Sequence, residues 1–96
     1  LIEKTKSADQ FHTTEKVGKI AAAEHLVNSR GNPFTVCFEK SSGEERTLRG
    51  RLITPEPLLG RSMVEDLDVT DNNKLRQVDH RTIKWLIVDG IKYIVK

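Results

Sequence analysis

Six arginines carry the most suggestive chemistry in this chain: Arg46, Arg49, Arg51, Arg61, Arg76 and Arg81. Between residues 41 and 73 every basic residue is an arginine, whereas lysines gather toward the two ends. A guanidinium is a planar fork of donors that suits phosphate oxygens and base edges, and strand alternation places Arg49 and Arg51 on one sheet face. The set reads as a surface for RNA or DNA, with Trp85 and Tyr93 as candidate stacking platforms. A competing reading pairs the same side chains with Glu44, Glu45, Glu65, Asp66 and Asp68 as ordinary cross-strand ion pairs. Phe34 and Phe38 fall at core positions, so aromatic interleaving among the arginines is sparse.

Other constellations lead away from catalysis. The acidic run over residues 65–73 lacks a calcium-loop pattern: counted from Asp66, the required glycine is Asp71 and the required glutamate is Gln77. It reads instead as a solvated edge or as an acidic rim facing a basic partner. His12, His25 and His80 are widely separated, and with Cys37 as the single cysteine no zinc spacing exists. Asp79 beside His80 is a candidate imidazole orienter, but no Gly-x-Ser-x-Gly nucleophile motif accompanies it. Gly43, Gly50 and Gly60 are isolated, with neither a Walker nor a dinucleotide spacing. Metal, cofactor and catalytic residues are therefore not expected, and Cys37 reads as a structural thiol.

The elements that must position these residues are legible from periodicity. Residues 1–12 show no sustained period and read as a flexible arm. A helix is expected over 14–29, with Thr13 or Thr14 as cap, an apolar stripe through Val17, Ile20, Leu26 and Val27, and Gly31 closing it. From Phe34 the period falls to two, with Phe34, Val36 and Phe38 on the core face. Further strands follow over 45–53, 62–69, 75–78, 83–88 and 91–95. Gly50 suggests a bend, Pro55 and Pro57 lie in a long loop over 54–61, and Asp79 to Thr82 form a tight or 3₁₀ turn. Asp89-Gly90 is a two-residue hairpin signal. Short strands after one helix imply a mainly β (α+β) fold, a five- or six-stranded barrel over about 34–96 preceded by the helix, because closure removes exposed edges.

Composition bounds the rest. Ninety-six residues, 36% hydrophobic and 31% charged, make one folding unit, residues 13–96. A net charge of +2 provides no whole-molecule field for nucleic acid, so that case rests on local clustering. The lone cysteine fits a reducing compartment, no apolar run spans a membrane, and no secretory signal is visible, so a cytoplasmic location is expected.

Three segments, "FTVCFEKSSGEERTLRGRL", "MVEDLD" and "LRQVDHRTIKWLIVDGIKY", resemble the small phage-associated SH3-like or Sm-like barrels related to the WYL domain. The likeness covers residues 34–93. It lacks the Trp-Tyr-Leu tripeptide, having only Trp85-Leu86, and leaves the helix outside. The resemblance implies an SH3-like barrel of phage or prophage origin, working in the bacterial host cytoplasm as a regulatory binding module. Two roles follow as expectations: contact with nucleic acid through the arginine-bearing face, or a protein-interaction module that inhibits or redirects a host protein. For the second, residues 55–60, the acidic edge and the helix are the candidate surfaces.

Overall fold

A computed structural model describes residues 10–70 and 72–96. Most of the expected 1–12 arm and Asp71 of the acidic run lie outside the described residues. The elements are β1 (Thr13–Val17), α1 (Lys19–Val27), β2 (Phe34–Glu39), β3 (Glu45–Glu56), a 3₁₀ turn (Pro57–Leu59), β4 (Arg61–Asp66), β5 (Leu75–Asp79), a second 3₁₀ turn (His80–Thr82), β6 (Ile83–Val88) and β7 (Ile91–Val95). The strands form one sheet in the order β1-β7-β6-β2-β3-β4-β5.

Two expectations are corrected here. The sheet has seven strands and is open, because β5 makes no ladder with β6 although the second 3₁₀ turn joins them. A cleft of about 730 Å³ runs between Gln77 and Asp79 on the β5 edge and Phe38, Lys40 and Gly43 of β2 and its hairpin loop. The helix is also shorter than expected. Residues Thr13–Val17 form a strand parallel to β7, held by His12 N–H to the Gly90 carbonyl at 2.9 Å and Lys96 N–H to the Val17 carbonyl at 3.0 Å. β-branched Thr13, Thr14 and Val17 favour that extended state, and Gly18, itself extended, is the N-cap. Parallel pairing across the whole chain length is a tertiary event that local spacing does not announce.

The sheet face under α1 carries the core. Phe34, Val36, Leu48, Val64, Val78, Leu86, Val88 and Tyr93 are buried there with Ala22 and Leu26 of the helix. His25 fixes how the helix lies, stacking on Tyr93 with ring centroids 3.8 Å apart and 14° between planes. The opposite face is buried at its centre too: Thr35, Cys37 and Ile87 are nearly inaccessible. Their cross-strand neighbours Arg49, Trp85 and Lys92 are long enough to cover them, which is why β2 is buried through Phe38 instead of alternating. Gly50 marks a close approach rather than the bend. Its missing side chain leaves room for the Phe34 ring, while the register shift in β3 falls between Leu52 and Thr54. The strand then continues through Pro55 to Glu56, so the expected long loop is reduced to the short turn at its tip.

Candidate interaction groove and the arginine positions

The six arginines do not share a face. Arg46 and Arg76 lie in register with core-face residues and converge on Asp66, whose carboxylate is buried. Their guanidinium nitrogens stand 3.3 and 3.9 Å from Asp66 Oδ2. Arg76 also donates to the carbonyls of Asn73 (2.7 Å) and Leu75 (2.9 Å). The Asp66 side chain in turn accepts the Asp68 N–H at 3.0 Å. This network closes one end of the core, where a carboxylate without cations would be costly.

Arg49 and Arg51 do occupy the opposite face, as alternation predicts. Arg49 Nη2 pairs with Asp68 at 3.3 Å, while its Nε is buried without a partner. Arg51 is exposed, opposite Glu65 in the β3-β4 register, and makes no ion pair among the described residues. Arg61 pairs with Glu56 at 2.8 Å across the tip of that hairpin. Arg81 pairs with Asp79 at 3.1 Å, and Asp79 also caps the 3₁₀ turn by accepting the Arg81 N–H at 3.0 Å. The Arg81 contacts hold the Asp79 carboxyl below its ordinary range. Five of the six are thus matched by a carboxylate. Of the stacking candidates, Tyr93 is buried beneath His25, and the Trp85 ring carries the Lys92 ammonium 4.6 Å from its centroid.

His80 has a different partner from the expected one. Its Nε2 lies 2.8 Å from Ser62 Oγ. Ser62 is fully buried, and Asp79 is directed to Arg81, so no accessible nucleophile and no oriented triad result. Burial lowers the His80 pKa, with Asp79 opposing. Burial likewise raises the Cys37 thiol, which disfavours its thiolate form. The described residues include no cluster of three potential metal ligands.

The helix and the 55–60 segment, both candidate surfaces for a protein partner, meet at an apolar groove of about 510 Å³ beside α1. Lys19, Ile20, Ala23, Glu24, Val27 and Asn28 of the helical segment line it together with Pro57, His80 and Arg81 of the two 3₁₀ turns. Ile20 was expected in the buried stripe but is 80% exposed, because α1 turns Ala22 and Leu26 to the sheet instead. Next to Pro57, Leu58 is 100% and Leu59 63% exposed. Their turn is held firmly: Gly60, in the left-handed conformation, donates to the Pro57 carbonyl at 3.0 Å and accepts the His80 N–H at 2.8 Å. The expected stripe put Ile20, Leu26 and Val27 together on the buried face, whereas the structure sends Leu26 to the sheet and leaves Ile20 in the groove. No helix among the described residues is long and apolar enough to cross a membrane. The chain matches no known family model, no curated protein and no solved structure.

Proposed function

We propose that this chain is a protein-interaction module whose contact surface is the groove between α1 and the Pro57–Leu59 turn. The observation that carries the reading is the pairing of an apolar groove with two leucines that a hydrogen-bonded turn holds out in water. Covering a Leu or Ile side chain is worth about 1.5–3 kcal/mol, and a rigid turn presents it at little further entropic cost. Aliphatic side chains exposed together in this way mark association surfaces. The nucleic-acid reading draws less support, since its arginines divide between two sheet faces and five have carboxylate partners.

Affinity capture from nuclease-treated bacterial lysate containing a co-expressed untagged copy of the chain tests this. The wild type retains protein partners after nuclease treatment, and the variant Leu58→Asp/Leu59→Asp loses them while its circular dichroism is unchanged. Capture that requires nucleic acid, or that ignores the leucines, overturns the reading.

A further inference from the structure

We infer that the outer edge of β5 receives an extended peptide segment of another protein as an added strand, recognised through its backbone and through apolar side chains on the face it turns toward the core. This edge and the cleft beside it are lined by other residues than the groove along α1 and stand independently of it.

Ladder parity decides which backbone groups of β5 point outward. Asp66 N–H donates to the Lys74 carbonyl at 2.7 Å and His80 N–H to the Gly60 carbonyl at 2.8 Å, both in the β4-β5 register. In an antiparallel pair the hydrogen-bonded positions recur at every second residue, so Arg76 and Val78 direct N–H and C=O to β4, while Leu75, Gln77 and Asp79 direct theirs away from it. Two of the outward carbonyls are engaged within the chain: that of Leu75 accepts Arg76 Nη1 at 2.9 Å and that of Asp79 accepts Thr82 Oγ1 at 2.7 Å. Between them, the Gln77 N–H and C=O have no partner among the described residues.

The space beside this edge is the cleft of about 730 Å³ to which Gln77 and Asp79 contribute. Phe38 lines it from the other side, but β2 is already paired at Phe38 with both β3 and β6, so it cannot supply the missing ladder to β5. A strand from elsewhere can. With one of its residues bonded to both Gln77 groups, the residues before and after it point to the face that carries Val78 and Phe38, where apolar side chains are covered. The nearby charges are matched within the chain, Lys40 by Glu44, Glu39 by Lys84 and Asp79 by Arg81, so backbone and apolar side chains select the peptide rather than its charge. Exposed edges are commonly guarded by lysine, proline or a bulge. β1, at the other edge, carries Lys16, whereas β5 contains neither lysine nor proline and keeps one register with β4 throughout.

Random peptides of about ten residues, long enough for one strand, displayed on a carrier and selected on the full chain supply the probe. The selected sequences are expected to alternate apolar and polar residues, and the corresponding synthetic peptides to slow amide hydrogen exchange at Gln77. Gln77→Pro removes an outward N–H and spares the β4 ladder, so it is expected to weaken these peptides about tenfold or more with unchanged circular dichroism. Leu58→Asp/Leu59→Asp is expected to leave their affinity within about twofold. Methylating the peptide amide nitrogens one at a time, with the wild-type chain as receptor, is expected to cost affinity at alternate positions only, and this decides the case if Gln77→Pro does not fold. A selection that yields no binder, equal binding to folded Gln77→Pro, or methylation losses without alternation overturns the proposal. Binding that depends on Leu58 and Leu59 overturns it too and leaves the groove reading standing. A wild type that dimerises in sedimentation equilibrium while Gln77→Pro stays monomeric likewise overturns it, because a second copy then covers the edge.

Discussion

The guanidinium of Arg46, from the second strand of the hairpin 34–56, reaches 3.3 Å from the buried Asp66 carboxylate on β4, and Arg76 approaches the same oxygen from β5. Three strands are thereby tied at one end of the core by a charge cluster. Replacing both cations, Arg46→Met/Arg76→Met, leaves the carboxylate buried and uncompensated and is expected to cost about 3 kcal/mol in urea unfolding. The change Arg49→Ala/Arg51→Ala, at one half-buried and one exposed position, removes a single solvent-screened ion pair and part of the cover over Thr35, and is expected to cost less, about 1 kcal/mol. Equal costs would show that Asp66 does not depend on its two arginines.

Acid sensitivity should centre on His80. Its folded-state pKa lies below the ordinary value of 6.5, chiefly through burial. The native protein therefore binds fewer protons than the unfolded chain once the pH drops below about 6.5, and stability declines from there down to the folded pKa. Chemical denaturation at pH 7.5, 6.5 and 5.5 reads this out as a falling midpoint. His80→Gln, which retains an amide to meet Ser62, should flatten that part of the curve; an unchanged slope would place the sensitivity elsewhere.

Gly50 has no space for a side chain. A β-carbon there would lie 3.0 Å from the Glu65 carbonyl oxygen and 3.4 Å from the Phe34 ring. Gly50→Ala is expected to destabilise by about 1–3 kcal/mol through overpacking, and adding Phe34→Leu should not recover it, because the Glu65 contact is with backbone. Thermal unfolding of the two variants decides this.

Two leucines separate core from surface. Leu26 is fully buried, so Leu26→Asp should unfold the domain, whereas Leu58→Asp at a fully exposed position should shift stability by no more than about 0.5 kcal/mol. Paired melting curves check it. A melting temperature for Leu26→Asp equal to that of the wild type would overturn the packing of α1 on the sheet.

Much of this architecture follows from local sequence. The strand over Phe34–Glu39 with Phe34, Val36 and Phe38 on the core face, the Asp89-Gly90 hairpin with both residues at positive φ, and the 3₁₀ turn after Asp79 are set by side-chain period and by residues that tolerate left-handed backbone, although burial of Thr35 and Cys37 on the other face was not legible from that period. The strand location of Arg49 and Arg51 came from the same period. What local sequence leaves open is decided by partners distant in the chain. Thr13–Val17 is equally compatible with a first helical turn and becomes a strand only because the β7 edge offers hydrogen bonds. Ile20 and Leu26 are alike in composition, and the docking of α1 on the sheet through Ala22 and Leu26, with His25 stacked on Tyr93, leaves one in water and the other in the core. The arginines carry the same charge wherever they stand, but whether a guanidinium is available to a ligand depends on which carboxylate the fold brings beside it. Ser62 and His80 meet for the same reason: β4 and the second 3₁₀ turn are apposed by the sheet, and a 2.8 Å contact across that distance in sequence is a property of packing alone.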